Sequence, residues 1–292
     1  MKITILTPTY NRGYILSNLY NSLLNQTKDN FEWLIVDDGS TDNTKEIVNN
    51  WIKENKINIK YIYQKNGGKH RALNNGISKI ENELTFIVDS DDYLTQDAIE
   101  LIDYYYDKYL LNIKICGISF LRKYPDDKII GKIFNKDEYI SDYISCRINE
   151  NIVGDKAEVY KTNVLKKYPF LEIEGENFLS EDYVWVKIAE EYNMIHVNKA
   201  IYVGEYLTDG LTKNIIHKKK NNPIGNSKRA LVLCSKKCNL KTRIKGMILY
   251  ISYGIIANFN IKKLYEATNY KSLFRLCFIP SIIYLQVLKT KK

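Results

Sequence analysis

The chain has 292 residues, 45% of them hydrophobic and 26% charged, with a formal net charge of +9. That balance excludes a disordered or collagen-like polymer and fits two compact domains, or one larger domain with an extension. Met1-Lys2-Ile3-Thr4-Ile5-Leu6 runs straight into a strand pattern, with no charged region ahead of a long apolar stretch, so no secretion signal is expected there.

The first hundred residues alternate strands and helices. Residues 3–7 form a β-rich run, after which Ile15, Leu19, Leu23 and Leu16, Tyr20, Leu24 recur every four residues, as on an amphipathic helix. Residues 31–36 read as a strand that ends in Asp37-Asp38-Gly39-Ser40-Thr41-Asp42, with Asp42 placed to cap a helix facing inward through Ile47, Val48, Trp51 and Ile52. A third strand, 59–63, precedes Gly67-Gly68 and a helix carrying Leu73, Gly76, Ile77 and Ile80. The fourth, 84–88, ends at Asp89-Ser90-Asp91-Asp92, and Thr95 is placed to cap a helix with Ala98, Ile99, Ile102 and Tyr106 inward. Such alternation predicts a mostly parallel sheet with helices on both faces, whose ligands bind beyond the carboxyl ends of the strands. Every polar cluster above falls at that edge.

Beyond residue 112 the pattern is mixed. Residues 115–121, 153–160 and 195–206 read as strands, and Ser180 as the cap of a helix with Val184, Trp185, Ile188, Ala189 and Tyr192 inward. Pro223 and Gly225 mark a break before a basic tail. Residues 213–292 hold eighteen Lys and Arg against one acid, Glu266, giving +17, whereas residues 1–212 sum to −8. Such asymmetry gives the tail a different partner from the body. The uncharged runs 246–261 and 276–288, the second interrupted by Pro280, are shorter than the roughly 20 residues a spanning helix needs. Flanked by cations, they read as helices lying on an anionic membrane surface; packing on the body is the alternative. Nucleic acid is not expected, because binding phosphates requires no apolar run of this length. Cys116, Cys146, Cys234, Cys238 and Cys277 are odd in number and scattered, which fits reduced thiols in a cytoplasmic protein, peripheral on the inner face of the membrane.

Four constellations carry chemistry. Asp89-Ser90-Asp91-Asp92 offers hard oxygen ligands suited to Mg²⁺ or Mn²⁺ together with phosphate oxygens, or is a solvated acidic turn. Asp37-Asp38-Gly39-Ser40 offers a carboxylate to a uracil N3–H, or is an Asx turn into a capped helix. Asn66-Gly67-Gly68-Lys69-His70-Arg71 joins close backbone approach to three potential cations at a helix start, or is a glycine turn with solvated bases. Ser180-Glu181-Asp182 supplies a general base for an acceptor hydroxyl, or acids that stabilise the helix dipole.

In order along the chain, Thr7-Pro8-Thr9-Tyr10-Asn11, Asp37-Asp38-Gly39-Ser40-Thr41-Asp42, Gly67-Gly68-Lys69-His70-Arg71-Ala72-Leu73-Asn74-Asn75-Gly76, Asp89-Ser90-Asp91-Asp92 and Glu181-Asp182 resemble family 2 glycosyltransferases with the GT-A fold, particularly bacterial cell-surface polysaccharide enzymes. The resemblance covers residues 1–210. It implies an α/β GT-A fold, a Rossmann-like, mostly parallel central sheet with flanking helices. On that reading residues 1–212 are the catalytic domain, with a nucleotide-sugar-binding half (1–111) and an acceptor-binding half (112–212). Residues 213–292 are a basic, amphipathic helical extension. Carried over position by position, Pro8, Thr9 and Tyr10 flank the nucleobase and Asp38 contacts uracil. Lys69 and Arg71 reach the nucleotide or its phosphates, Ser90 binds the donor nucleotide, Asp89 approaches the ribose or the metal, and Asp91 with Asp89 ligates Mn²⁺ or Mg²⁺. Asp182 matches the catalytic base. The implied reaction is inverting transfer of a sugar from a nucleotide diphosphate, UDP-linked by expectation, to a growing lipid-linked surface glycan. A sugar nucleotidyltransferase and a non-catalytic membrane scaffold are the rival readings; sugar specificity is expected in residues 112–180.

Overall fold

The computed structural model describes residues 2–205 and 215–290. The N-terminal part contains β1 (Ile3–Thr9), α1 (Leu16–Leu24), β2 (Phe31–Asp37), α2 (Thr44–Glu54), β3 (Ile59–Tyr63), α3 (Lys69–Lys79), β4 (Leu84–Ile87), β5 (Tyr93–Leu94) and α4 (Ala98–Tyr105). It continues through β6 (Ile115–Lys123), β7 (Tyr139–Ser141), β8 (Lys156–Lys161), α5 (Thr162–Lys167), α6 (Asp182–Ala189) and β9 (Asn193–Val203). Five helices close the described chain: α7 (Ile215–Asn221), α8 (Pro223–Val232), α9 (Leu240–Ile256), α10 (Ile261–Ala267) and α11 (Lys271–Thr290).

The strands form one sheet in the order β3-β2-β1-β4-β8-β6-β9-β5, with β7 on β9. The β3-β2-β1-β4 block is parallel, so the four loops after these strands open on one edge. Antiparallel β8 then divides it from β6 and β9, which are parallel to each other. β1 and β2 are buried along their whole length, as strands covered on both faces must be. One face carries a core that includes Leu16, Leu19, Trp33, Ile99 and Ile102; Tyr20 stacks on Trp51 with ring centroids 4.3 Å apart. The other packs α3, α5 and α6 through Leu73, Ile77, Leu165, Val184 and Trp185. Gly76 lets α3 approach this face closely, since a Cβ there would lie 2.4 Å from Leu6 Cδ1.

Several expectations shift: α4 is capped at Asp97 rather than Thr95, and α6 at Glu181 rather than Ser180. Asp42 does not cap α2 directly: Asn43 takes that position, while Asp42 accepts from the Thr44 amide at 3.0 Å and the Gly13 amide at 3.0 Å. The helix after Thr95 buries Tyr105 as well, while Tyr106, partly buried against the same core, opens a π-helical turn, Tyr106–Leu110. The eighth strand starts at Lys156, not 153, since Gly154 breaks the run at φ +87°.

In the C-terminal helices the two uncharged runs have different fates. In α9 Met247, Tyr250, Ile251 and Tyr253 are buried against the surrounding helices, so the first run is packed rather than lying outside. In α11 one face is packed through Phe274, Cys277, Leu285 and Leu288, while Leu276, Ile279 and Ile283 stand exposed on the other. The Lys271–Leu288 stretch, with mean hydropathy 1.4, is long and apolar enough to cross a membrane by length and composition. A cluster of Ile144, Val186, Ala189, Leu233 and Cys238 joins these helices to α6. The expected 212/213 boundary lies outside the described residues.

Candidate active site

The loops after β1 and β2 are tied to each other before any ligand arrives. Asn11, at φ +53°, donates its amide to Ser40 Oγ at 2.8 Å and accepts from the Thr41 amide at 2.8 Å. Pro8 is buried; Thr9 is buried too, and its Oγ1 has no hydrogen-bond partner. Tyr10 next to it is exposed. An unpaired buried hydroxyl is costly unless something else satisfies it.

Asp37 is internal, accepting from the Ser40 amide at 2.7 Å and the Tyr61 hydroxyl at 2.6 Å. Asp38 is already occupied: it accepts from Gln64 Nε2 at 2.7 Å and from the amides of Gly67 at 2.9 Å and Gly68 at 2.7 Å. It therefore shapes the glycine turn and retains about one lone-pair direction for a ligand. Gly68 lies at φ +95°, ψ 154°, a region essentially closed to other residues. A Cβ there would sit 1.9 Å from the Asn177 carbonyl oxygen, so the loop before α6 rests directly on the glycine pair. Arg71 holds that loop down by donating to the carbonyls of Glu176 at 2.7 Å and Ile173 at 2.5 Å, as well as to Gly67 at 2.8 Å. Its guanidinium also lies 3.6 Å from Glu172 Oε2. His70 beside it is not a cation. Burial, helped by neighbouring Arg71, pushes its pKa down to about 4, so it is neutral.

At the end of β4 the acids are sorted by partner. Lys69 bridges Asp89 Oδ1, at 2.5 Å, and Glu181 Oε1, at 2.7 Å. Burial opposes the ammonium charge, yet the two carboxylates overcome it and raise the lysine's pKa. Burial likewise works against the Asp89 charge, and Lys69 and Arg122 overturn it to hold Asp89 below the usual range. Arg122 lies over the Tyr202 ring, 3.8 Å from its centroid, and 3.6 Å from Asp92. The Tyr202 hydroxyl donates to Asp92 at 2.7 Å and accepts from the Asp89 amide at 2.9 Å. Burial, then the charge of Asp89, pushes Asp92 up to about 7. Ser90 is buried between them. Asp91, half-buried, accepts from its own backbone amide and faces the charges of Arg12 and Lys69, yet burial together with Asp89 raises its pKa. A carboxylate whose charge is disfavoured by burial and by a like neighbour is one that a cation would relieve. Among the described residues no three acids, histidines or cysteines converge into a closed cage.

Across from this cluster, Asp182 begins α6. Arg229 of α8 donates Nε to its Oδ1 at 2.6 Å and Nη2 to its Oδ2. Burial alone would favour the protonated acid, but Arg229 and a hydrogen bond from Ser180 keep it below the ordinary range.

These loops and acids form one open edge of a parallel block, the arrangement that α/β sheets use for phosphate-bearing ligands. Residues 4–168 match Glycosyl transferase family 2. The chain belongs to this family. Glycosyltransferase GlyG of Streptococcus pneumoniae is 34% identical over 138 residues, 47% of this chain and 40% of that protein. The GalNAc(5)-diNAcBac-PP-undecaprenol β-1,3-glucosyltransferase of Campylobacter jejuni is 27% identical over 224 residues, 73% of this chain and 69% of that one. The structure of Staphylococcus aureus TarS 1–349 in complex with UDP-GlcNAc superposes with a TM-score of 0.63 at 20% identity, covering 99% of this chain and 90% of that one. The fold is the GT-A fold expected from the sequence, extended by C-terminal helices.

Within this family 2 chain, the edge unites Thr9, Tyr10, Asp38, Lys69, Asp89, Ser90 and Asp91, whereas Arg71 faces the loop before α6. Sequence reasoning missed Arg122, Tyr202, Glu158 and Arg229. Glu158, on β8, accepts no hydrogen bond from a described residue, and burial, opposed by Arg147 and Arg122, raises its pKa to about 7. Its only sequence signal was a lone acid between Ala157 and Val159 in a strand, on the face of buried Tyr160.

Proposed function

We propose that this chain is an inverting glycosyltransferase that moves a sugar from a UDP-sugar to a hydroxyl of a growing, lipid-linked cell-surface glycan. The observation that carries the reading is the division of the acids. The charge of Asp91, at the end of β4, is disfavoured by burial and by Asp89, whereas Asp182, at the start of α6, is held ionised by Arg229. UDP-GlcNAc in the TarS neighbour and an undecaprenyl-linked glycan in the name of the Campylobacter relative favour this donor and acceptor class.

On this reading Pro8, Thr9, Tyr10 and Asp38 hold the base, and Ser90 with Asp89 holds the ribose. Asp91, backed by Asp89, would hold Mn²⁺ or Mg²⁺, which supplies Lewis-acid neutralisation of charge on the departing diphosphate. Asp182 takes the proton of the acceptor hydroxyl as its oxygen forms the new bond to the anomeric carbon. The bond from that carbon to the phosphate oxygen breaks, and UDP leaves with the electron pair. One base and one in-line hydroxyl suffice for inversion, so no covalent enzyme intermediate is needed. Lys69, bridging Asp89 and Glu181, couples the donor side to the acceptor loop rather than contacting phosphate.

The same proposal seats the chain on the inner face of the cell membrane through α11. Leu276, Ile279, Ile283 and Val287 are exposed at helical spacing, with Lys271 and Arg275 on the preceding turn. Five free, buried cysteines fit the reducing side of that membrane.

The test is UDP release from a panel of UDP-sugars with undecaprenyl-linked glycan acceptors, with the anomeric configuration of the product read by NMR. Release coupled to an inverted product supports the reading. A folded protein that binds vesicles but turns over no nucleotide sugar would make it a scaffold.

A further inference from the structure

The acid assigned above to the acceptor is gripped by a residue outside the catalytic sheet. Arg229 meets Asp182 with two N–H groups, and the two side chains are 16% and 23% exposed. The helix that carries Arg229 is pinned to the same loop at its start. Glu176 accepts from the amides of Ile224 at 2.6 Å and Gly225 at 2.7 Å. Asn222 Oδ1 accepts from the amides of Asn177 at 2.7 Å and Phe178 at 3.0 Å. Leu233, just past α8, packs with Val186 and Ala189 of α6.

We propose that Arg229 is a positioning residue for the transfer reaction, and that α8 of the basic C-terminal segment is thereby part of the acceptor side of the site. This rests on the reading of Asp182 as the base.

A carboxylate on a single rotatable bond pair can turn its oxygens away from an acceptor. Two parallel N–H···O bonds from a planar guanidinium fix both its position and its plane. Each carboxylate oxygen keeps a second lone pair, so a bound Asp182 still accepts from a hydroxyl. A base oriented by a third group is a recurring catalytic arrangement. Charge points the same way. Asp182 faces Arg229 from α8, Lys219 from α7 and Tyr143 from the turn before Ile144. Arg229 in turn faces Tyr143 and Tyr253 of α9, and Lys219 faces Arg229 and Lys245. Lys219 contributes charge and Ser180 a single hydrogen bond, whereas the fork of Arg229 engages both carboxylate oxygens and so fixes their plane.

The experiment measures transfer by the full chain from about pH 5 to 9 for wild type, Asp182→Asn, Arg229→Gln and Arg229→Lys, with UDP binding by calorimetry as the control on folding. The expected result is an inactive Asp182→Asn and an Arg229→Gln with kcat lowered about 100-fold at unchanged UDP affinity. In Arg229→Gln the acid limb of the kcat profile moves to higher pH, because burial now acts on Asp182 without the fork. Arg229→Lys, which restores charge but not the fork, keeps the wild-type limb and recovers only part of kcat. Wild-type kcat and pH limb in Arg229→Gln, beside an inactive Asp182→Asn, overturn the positioning role and leave the base in place. An active Asp182→Asn removes the base itself. Joint loss of UDP affinity and kcat in both Arg229 variants identifies a merely structural pair and overturns the proposal.

Discussion

At the carboxyl edge of the sheet, Asp38, Gly68 and Asp91 lie within a few residues of the strand that delivers each of them, whereas Arg229 reaches Asp182 from 47 residues away along the chain. The proposed donor side is built by backbone: parallel β1, β2 and β4 aim their loops at one place, and glycine and aspartate then set the turns. The proposed acceptor side is built by side chains of helices that arrive from elsewhere, through the Glu176 and Asn222 contacts to α8 and the Arg229 fork. A backbone-built site is written locally in the sequence. A side-chain-built site is written in pairs of positions that no local pattern links.

Replacing Asp182 with Asn strikes the acceptor side hardest. Loss of a general base predicts a fall in kcat of about 10²–10⁴-fold with donor affinity nearly unchanged, measured by steady-state transfer and UDP calorimetry. A variant with normal turnover would erase the distinction between the two sides. The outer face of α11 is tested by Ile279→Asp with Ile283→Asp. Two lost apolar contacts predict roughly a hundredfold weaker partitioning onto anionic vesicles in a flotation assay, with UDP binding intact. Equal partitioning would show that this face does not meet lipid.

Gly68→Ala sharpens the comparison where the two sides meet. Its φ of +95° and the 1.9 Å approach to the Asn177 carbonyl predict a loss of about 3 kcal/mol or more, read as a lower Tm and weaker UDP binding together. A smaller effect comes from His70. Its folded pKa, about 4, lies below the unfolded value of 6.5, so the unfolded chain binds the proton first as pH falls. Its neutral burial therefore costs nothing above pH ~6.5 and destabilises by about 2 kcal/mol as pH drops toward 4. His196, also about 4, adds to the same window. His70→Gln is expected to flatten part of that acid loss in denaturant melts; an unchanged pH dependence would place its proton uptake elsewhere.

Much of the donor half was legible because period-2 and period-3.6 patterns place strand ends, and strand ends place acids. The third strand came out as Ile59–Tyr63, and the edge clusters lie where the alternation predicted. Arg71 shows the limit. Three basic residues in a row at a helix start suggest anion binding, yet a helix turns successive side chains by about 100°, so Lys69, His70 and Arg71 face an acid pair, the core and a loop in turn. Arg122 was hidden for a related reason: it ends an apolar strand, where a charge normally faces solvent, and instead stacks on Tyr202 beside Asp89. The uncharged run in α9 resembled a surface helix because hydropathy cannot tell a lipid-facing residue from one buried by neighbouring helices.

The most direct test of the donor site is thermal unfolding of wild type and Asp91→Ala with UDP and UDP-sugars, each with and without Mn²⁺. Ligand at about a hundred times its Kd adds roughly 2.7 kcal/mol of stability. The account predicts stabilisation of the wild type by one UDP-sugar and by UDP, enlarged by Mn²⁺, with the Mn²⁺ increment lost in Asp91→Ala. An equal Mn²⁺ increment in the variant, or no stabilisation of a folded wild type by any uridine nucleotide, would contradict it.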